Sequence, residues 1–428
     1  MITSTTSRIF EYMKNKLSLR PFAVIASVFT GILSLSLVVS SPEIKAKIPS
    51  KTTWVSTELE KMTLEQKIGQ FFMVAAYSNR GEEHYAHLDS LVTQQHIGGM
   101  IFFQGQRINM KNIIDRFQAK ADVPLLIGMD AEWGVQMRLF GEDRFPYNYT
   151  IGAANDPALT KTIAKMIAEE CRDIGVHMNF APVADVNSNP NNPVIGFRSF
   201  GENPISVASH VKAAVQGMEQ QSVLTSVKHF PGHGDTGTDS HYALPVVENS
   251  YAHIDAIDFP PFRAGIRAGT ASVMIAHLSV PALDSTGTPS SLSPVIIKDY
   301  LQGQLGFKGL VISDALNMKA VADRYGKTEV VVKAFQAGCD ILLFPESVED
   351  AIQAIKLKVE SGEISMDEID ARCKKVLNAK YKAIINPKVV RNYNAFEIEL
   401  AKKQVYEKAI TVLKNENEAL PIKRFDQR

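Results

Sequence analysis

Short apolar runs alternate with longer amphipathic segments between about residues 59 and 385. Runs such as 125–127 and 310–312 show no polar alternation, which is typical of parallel strands buried on both faces. The amphipathic segments predict helices, and strands that alternate with helices predict parallel βαβ units. Eight strands are predicted, and they end near Ala75, Phe103, Asp130, Val183, His229, His277, Asp314 and Phe344. The predicted fold class is therefore α/β, a (β/α)8 barrel of the TIM type.

Capping residues mark several of the predicted helices. Asp156 followed by Pro157 predicts a helix start, and Gly175 predicts the end of the same helix. Ser365 and Glu368 have the spacing of a capping box, which predicts the start of the last helix associated with the barrel. These signals place helices between the predicted strands, as the barrel requires.

The two ends of the chain differ from its centre. Residues 1–41 carry four basic side chains followed by an apolar run, which predicts a signal peptide or an uncleaved signal anchor. We expect a linker over 42–53, the catalytic barrel over 54–390, and a C-terminal helix with a linker-like tail over 391–428, without a second domain. The protein is thus expected to be exported to the periplasm or exterior, and membrane-attached only if the first segment is retained.

Composition excludes some classes of function. Lys and Arg total 46 and Asp and Glu total 46, and no long basic stripe occurs, so a nucleic-acid partner is not expected. Cys171, Cys339 and Cys373 lack the spacing of metal ligands or redox pairs, which predicts buried free thiols. A neutral or modestly charged glycan is compatible with this charge balance.

Ionisable residues cluster at the predicted carboxyl ends of the strands, where barrel enzymes place their sites. Five of the eight strands end in such a residue or lead into a loop that contains one. These residues are Asp130 with Glu132, Asp185 with Arg198 in the loop after it, Lys228 with His229, His277, and Asp314. A barrel that serves only as a scaffold does not need this convergence, so the pattern predicts an active site.

The loop that follows strand five, residues 228–241, is the most informative segment. Its glycines and proline exclude regular structure, while it contains several histidines and carboxylates. Asp239 and His241 are two residues apart, so in an extended segment they face the same side and the carboxylate can orient the imidazole. His241 is therefore predicted to be a general acid/base. Metal binding is the alternative, but the histidines lack the helical spacing of a metalloprotease motif, and no metal or other cofactor is expected.

Asp314 directly follows a fully apolar strand. A buried carboxylate is either kept ionised by neighbouring cations or takes up a proton, and Lys228 and Arg198 are candidates for the cations. The alternative interpretation is that Asp314 caps the next helix.

Several segments together resemble the bacterial β-N-acetylglucosaminidases of glycoside hydrolase family 3, over about residues 59–422. They are 130–132, 179–186, 198–201, 228–241, 276–277, 282–284 and 306–314. The loop that ends in Asp239-Ser240-His241 is the most specific of them. It resembles the segment that separates these enzymes from family 3 β-glucosidases, which take their acid/base from a second domain.

This resemblance implies a retaining exo-β-N-acetylglucosaminidase acting on terminal β-linked GlcNAc, with a peptidoglycan fragment as the expected substrate. Asp314 corresponds to the nucleophile that forms a covalent glycosyl intermediate, and His241 with Asp239 corresponds to the acid/base. Further residues correspond to groups that bind the sugar hydroxyls and the acetamido group: Asp130, Arg198, Lys228 and His229.

Two features depart from the family pattern. Trp133 stands where a glycine is more usual, and it either narrows or stacks on a subsite, or packs beneath the loop. The tail after Ala409 resembles the linker to a second domain, which we expect to be absent, so two alternatives stay open: a one-domain protein with a remnant, or a truncated gene product. Two alternative functions remain open: a family 3 β-glucosidase or β-xylosidase, and a noncatalytic cell-wall-binding relative.

Overall fold

The computed structural model describes residues 48–238, 244–388 and 392–416. Within these residues eight parallel strands form a sheet in the order β7-β6-β5-β4-β3-β2-β1-β8. The strands are β1 Phe72–Tyr77, β2 Gly99–Phe103, β3 Leu126–Met129, β4 Met178–Asn179, β5 Leu224–Phe230, β6 Ser272–Ile275, β7 Leu310–Ser313 and β8 Leu342–Leu343. An isolated parallel bridge between Ile312 and Ile341 joins the two ends of the sheet. The predicted (β/α)8 barrel is thus confirmed.

Helices follow the strands around the barrel. The α-helices span Lys51–Lys61, Leu64–Gly69, Glu82–Gln94, Arg107–Gln118, Asn148–Ala153, Pro157–Asp173, Pro204–Gln220, Tyr251–His253, Phe259–Arg267, Lys319–Tyr325, Glu329–Ala337, Val348–Glu360, Met366–Lys380 and Ala395–Ala409. Wider π-helical segments span Ile254–Asp258, Val295–Gln304 and Tyr381–Ile385, and short 3-10 turns span Val135–Met137, Gly196–Arg198 and Ser290–Leu292.

Strand β4 is shorter than predicted. The predicted strand ran to Val183, but β4 ends at Asn179, and beyond it the pairing with β5 is reduced to an isolated bridge between Val183 and Lys228. Pro182 has no N–H to give to a neighbouring strand, and Ala181 N–H donates to the carbonyl of Asn179 instead. The apolar run is therefore buried as predicted, but only its first residues belong to the ladder.

The capping predictions hold with one exception. Asp156 accepts a hydrogen bond from Leu159 N–H at 3.1 Å, and Gly175 follows the helix with φ of +85°, a value that favours glycine. Ser365 accepts from Glu368 N–H at 3.1 Å, as predicted. A capping box also needs the Glu368 carboxylate to accept from the Ser365 N–H. That part of the prediction is wrong, because the carboxylate pairs with Arg372 one turn further along the helix.

Most of the buried residues are apolar, but all seven residues of β5 are buried, and Lys228 and His229 are among them. The three cysteines are buried free thiols, as predicted, and burial raises the pKa of Cys373 to about 12. Among the described residues we find no helix that combines the length and the apolar character needed to cross a bilayer. The apolar run that was predicted to be a signal segment lies outside the described residues.

Candidate active site

The carboxyl ends of the strands surround a cavity of about 630 Å³. Its lining includes five of the seven site residues that the sequence predicted: Asp130, Arg198, Lys228, His229 and Asp314. The two residues predicted to form the acid/base pair, Asp239 and His241, lie outside the described residues. The sequence therefore predicted the location of the cavity. The described residues include its candidate binding groups and Asp314.

The turn after β3 carries Asp130 and Glu132, and a buried amide holds its backbone in place. Asn179 Oδ1 accepts from Ala131 N–H at 2.9 Å, while Asn179 Nδ2 donates to the Ala131 carbonyl at 3.0 Å. Asn179 is the last residue of β4, so a neighbouring strand fixes the turn. Because Asp130 and Glu132 flank Ala131, both carboxylates leave the backbone at defined positions.

These two carboxylates are joined to two cations in one network. Lys228 Nζ lies 2.8 Å from Asp130 Oδ1 and 2.8 Å from Glu132 Oε1. The Arg198 guanidinium donates to both oxygens of Glu132, at 3.0 Å and 2.8 Å. Such a two-point contact fixes the plane of the guanidinium as well as its distance. The network thus holds charged groups in fixed orientations beside the cavity.

The network keeps all of its members ionised. Burial alone would raise the pKa of Glu132, but Arg198 and Lys228 outweigh it and lower that pKa to about 2. Burial is likewise outweighed at Asp130, whose pKa falls well below its usual range. Burial would lower the pKa of Lys228, but Asp130 and Glu132 raise it overall. The cavity therefore presents fixed charges at neutral pH, which suits recognition of hydroxyl and amide groups.

An irregularity in β5 explains how two successive residues reach the cavity. Side chains of a regular strand alternate between faces, yet Lys228 and His229 both line the cavity. The register between β5 and β6 shifts between Val227 and Phe230. A bulge of this kind re-aims side chains, and bulges are common beside active sites.

His229 is oriented by a buried carboxylate. Its Nδ1 lies 2.7 Å from Asp185 Oδ2, and burial at Asp185 is outweighed by His229 and His233, which lower the pKa of that carboxyl. The Arg198 guanidinium can only donate, so His229 Nε2, which lies 3.3 Å from Arg198 Nη2, is the acceptor in this contact. His229 is thereby tied to the cation network on one side and to the loop after β4 on the other.

The first half of the loop 228–241 is tightly packed. Asp185 Oδ1 accepts from His233 N–H at 2.7 Å, and His233 Nδ1 lies 2.7 Å from the buried Thr236 hydroxyl. Asn192 Nδ2 donates to the His233 carbonyl at 2.8 Å. Burial, assisted by His229, lowers the pKa of His233 to about 4, so this imidazole is neutral at pH 7. The base of the loop is thus anchored to the loop after β4.

Asp314 lies at the end of β7 with one oxygen engaged. Its Oδ1 accepts from Ala315 N–H at 2.8 Å, and its own N–H donates to the Ile275 carbonyl of β6 at 2.9 Å. Its Oδ2 has no hydrogen-bond donor within 48–238, 244–388 and 392–416. Burial is outweighed by His277, His229, the Ala315 N–H and Lys228, which together lower the pKa of Asp314. The carboxylate is therefore ionised with an oxygen available to a ligand.

The alternative reading of Asp314 as a helix cap is wrong. The next helix, Lys319–Tyr325, has Met318 at its N-cap position and no side-chain cap. The carboxylate of Asp314 instead bonds to the residue next to it and faces the cavity. Asp314 therefore lines the cavity and does not cap that helix.

We find no group of three or more His, Cys, Asp or Glu side chains arranged to hold a metal ion in the part of the chain that the structure describes. The polar groups of the cavity are instead paired cations and carboxylates.

The chain matches the glycosyl hydrolase family 3 N terminal domain over residues 63–379. This chain belongs to glycosyl hydrolase family 3. The family resemblance inferred from the motifs is thereby confirmed.

Named relatives agree with this family. The chain is 34% identical over 379 residues to β-hexosaminidase A of Pseudoalteromonas piscicida, an overlap of 78% of this chain and 62% of that protein. It is 28% identical over 336 residues to a β-N-acetylglucosaminidase/β-glucosidase of Cellulomonas fimi, an overlap of 76% and 59%. The chain therefore spans less than two thirds of the length of these two relatives.

A solved structure shares the fold. The glycoside hydrolase family 3 β-N-acetylglucosaminidase from Paenibacillus sp. str. FPU-7 superposes with a TM-score of 0.76 at 36% sequence identity. The match covers 83% of this chain and 70% of that chain. The barrel with its connecting loops is thus an architecture of this family.

One residue of this family 3 cavity was missed by sequence reasoning. Arg138 Nη2 donates to Asp130 Oδ2 at 2.6 Å, and its guanidinium lies over the Phe103 ring, 4.7 Å from the centroid. Arg138 follows a 3-10 turn rather than a strand, so no positional signal in the sequence marks it. Its role in the cavity depends on the path of the chain after β3.

Three other residues of the cavity region were visible in the sequence without a specific role. Glu132 and Asp185 belong to the predicted strand-end group, and His233 lies in the loop 228–241. The structure shows that Asp185 links His229 to His233, while Glu132 links Arg198 to Lys228. Their spacing along the chain gave no indication of these pairings, because each one joins two different βα loops.

Proposed function

We propose that this chain is a retaining exo-β-N-acetylglucosaminidase that hydrolyses terminal, non-reducing β-linked GlcNAc. The observation that carries the proposal is the ionised Asp314 carboxylate, which shares a cavity with Lys228, Arg198 and Asp130. A carboxylate nucleophile needs an ionised oxygen that a sugar carbon can approach, and Asp314 Oδ2 meets this need. The names of the two relatives above support the choice of an N-acetylhexosamine.

In the proposed first step, Asp314 attacks the anomeric carbon and the glycosidic C–O bond breaks. The leaving oxygen takes a proton from His241, which Asp239 orients. The product is a glycosyl ester of Asp314, and the anomeric configuration is inverted once. In the second step His241 removes a proton from water, and the water displaces Asp314, so the original configuration returns. The roles of Asp239 and His241 rest on the sequence pattern.

The paired charges are proposed to bind the sugar. Asp130 accepts hydrogen bonds from hydroxyls, Lys228 and Arg198 donate to hydroxyl oxygens or to the acetamido carbonyl, and His229 Nε2 accepts from a hydroxyl. Hydrogen bonds of this kind to charged groups are roughly twice as strong as neutral ones. Because the ion pairs of the network hold these side chains in place, binding costs little reorganisation of them.

We further propose an exported enzyme that acts on peptidoglycan fragments. The basic and apolar pattern of residues 1–41 supports export, and GlcNAc is a component of the cell wall that an exported enzyme meets. A neutral imidazole base beside an anionic nucleophile also tolerates an anionic acceptor, so phosphate in place of water is a variant to be tested. Mass spectrometry of the products from digested peptidoglycan identifies both the fragment and the acceptor.

A β-glucosidase is the second candidate, because the name of the Cellulomonas fimi relative includes both activities. Paired assays with nitrophenyl β-GlcNAc and nitrophenyl β-glucoside separate the two. We expect at least about a hundredfold preference for the GlcNAc substrate, since a group that binds the acetamido carbonyl is left unpaired by glucose. Equal turnover of both substrates would reassign the chain to the broader specificity.

Variants test the catalytic assignment. Asp314→Asn is expected to lower kcat by at least about a thousandfold, and His241→Ala by at least about a hundredfold on an unactivated glycoside. His87→Ala, an exposed histidine on the helix Glu82–Gln94, is the matched control and is expected to leave turnover unchanged. Full turnover in either catalytic variant would remove that residue from the mechanism. If the wild type bound the glycan but neither it nor any variant turned the glycan over, a noncatalytic role would replace the proposal.

A further inference from the structure

We propose that Trp133 determines specificity by stacking on the sugar ring that leaves. The indole would form a wall of the cavity against the leaving group, so that a pyranose is preferred to a small alcohol. This inference rests on the proposed function, because it concerns the second sugar of the same substrate. The proposed substrate class is a β-linked disaccharide or longer glycan. The residue that would recognise it, Trp133, is not part of the charged network.

Trp133 follows Glu132 directly and lines the cavity. The backbone on its far side is closely confined. Gly134 has φ of +95°, and a Cβ at this position would lie 2.8 Å from the Phe145 ring. Phe145 N–H donates to the Trp133 carbonyl at 3.2 Å. The main chain that carries the indole is therefore held on both sides, by the ion network before it and by this packing after it.

Two aromatic rings hold the indole itself. The Tyr147 ring meets it at 5.0 Å between centroids with an interplanar angle of 82°, an edge-to-face contact, and Phe197 lies 5.9 Å away. Tyr147 and Phe197 are 4.4 Å apart, and Arg144 covers the Tyr147 ring and donates to its hydroxyl at 2.8 Å. Edge-to-face pairs are favourable geometries for aromatic rings, so the cluster defines one orientation of Trp133.

The position of this cluster argues for the leaving group rather than for the terminal sugar. Lys228 and Glu132, which belong to the charged network, are each 2% exposed and lie at the bottom of the cavity. Phe197, at the other end of the aromatic cluster, is 52% exposed. Trp133 thus lies between the buried charged network and the exposed side of the aromatic cluster. In an exo-acting enzyme the terminal sugar occupies the closed end, and the rest of the substrate extends towards solvent along this wall.

The chemistry of a pyranose fits such a wall. A pyranose ring in its chair form has a face of C–H groups, which are weakly positive and apolar. The face of an indole is electron-rich, so the two surfaces attract each other and exclude water together. A small alkyl leaving group presents too little surface for this contact. The wall therefore discriminates by the size and shape of the leaving group.

The first test compares two substrates in one set of variants. The chain contains two tryptophans, and Trp54 lies beside Tyr381, 6.0 Å between centroids and outside the cavity lining. Trp133→Ala is expected to lower kcat/KM for β-1,4-linked N,N′-diacetylchitobiose by about tenfold, but that for methyl β-GlcNAc by less than about twofold. Trp133→Phe should restore most of the loss, and Trp54→Phe should match the wild type. Equal losses on both substrates, or none, would overturn the proposal.

The second test does not require turnover. In a Trp54→Phe, Asp314→Asn double variant, Trp133 is the single indole reporter and the ligand is not consumed. Diacetylchitobiose at concentrations that calorimetry shows to be saturating is expected to shift the Trp133 emission, while methyl β-GlcNAc shifts it less. An unchanged emission at saturation, or no binding, contradicts the stacking. A clear shift in a protein whose wild type lacks turnover would reject the proposed function and leave the sugar contact standing.

Discussion

Among the described residues two lysines are buried, at opposite ends of the barrel, and their surroundings differ. Lys228 is 2% exposed at the carboxyl ends of the strands and lies 2.8 Å from each of two carboxylates. Lys380 is 0% exposed and donates to the neutral amide oxygen of Gln70, just before β1. Burial lowers the pKa of Lys380 to about 7, whereas Asp130 and Glu132 raise that of Lys228 despite burial.

The difference indicates two roles: Lys228 belongs to the charges that face a ligand, whereas Lys380 supports the packing of the barrel. A buried cation is retained at little net cost when carboxylates surround it, and removing one partner then leaves an uncompensated charge. A buried amine without an anion instead gives up its proton. The upper end of the barrel is therefore arranged to display fixed charges to a ligand. The lower end uses the aliphatic stem of Lys380 as packing, with the amine satisfied by an amide.

The largest expected effect is that of Lys228→Met. This change leaves Asp130 and Glu132 with less compensation, so we expect a loss of about 3 to 5 kcal/mol in the free energy of unfolding. Turnover should fall by at least about a hundredfold, because a hydroxyl donor is lost and the carboxylates lose their orientation. Denaturant unfolding and steady-state kinetics measure the two effects. A variant with wild-type stability would show that the network is not a coupled unit.

Lys380→Met gives the complementary and smaller effect. A pKa lowered from 10.5 to about 7 means that the stability contributed by a neutral Lys380 is full above the unfolded pKa and is lost as pH falls towards 7. The wild type should therefore lose about 2 kcal/mol relative to the variant between pH 9 and pH 7. Urea unfolding of both proteins at these two pH values measures the difference. Parallel pH profiles would mean that Lys380 keeps an ordinary pKa in the folded state.

The pH profile of activity gives the smallest effect. The proposed nucleophile Asp314 must be ionised, and its pKa is lowered, so the acidic limb of kcat/KM should lie below about pH 4. If a histidine donates the proton, kcat/KM falls above about pH 6.5, the ordinary imidazole pKa. Asp239→Asn should move this alkaline limb to lower pH by roughly one unit, because a neighbouring anion stabilises the imidazolium. A limb that stays in place would separate Asp239 from the acid/base group.

The position of Lys228 in the sequence identified it as a candidate site residue, whereas nothing in the sequence indicated that Lys380 would be buried. The carboxyl end of a barrel strand faces the site in this architecture, so a lysine there is a candidate whatever its partners are. Lys380 ends the amphipathic helix Met366–Lys380, and its pattern is that of any helix with charged residues on one side. Which lysine of such a helix faces the barrel floor is decided by tertiary packing, which the sequence pattern does not contain.

Strand β4 shows the same limit of prediction from sequence patterns. The apolar run that contains β4 was predicted correctly as buried, yet the ladder stops at Asn179 because of the local hydrogen bond at Ala181 and the missing N–H of Pro182. Likewise, the partnership of Arg138 with Asp130 depends on the path of a loop. Periodicity therefore predicted the elements and their order, whereas contacts between loops required coordinates.

The central claim is that Asp314 forms a covalent bond to the sugar. A 5-fluoro N-acetylglucosaminyl fluoride reacts quickly in the first step and slowly in the second, so it allows the intermediate to accumulate. Mass spectrometry of the intact protein should show an increase of one fluorosugar residue, and peptide mapping should place it on Asp314. Asp314→Asn should remain unlabelled. A label on another residue, or turnover of the reagent by the wild type while Asp314 stays unmodified in every trapped sample, would contradict the account.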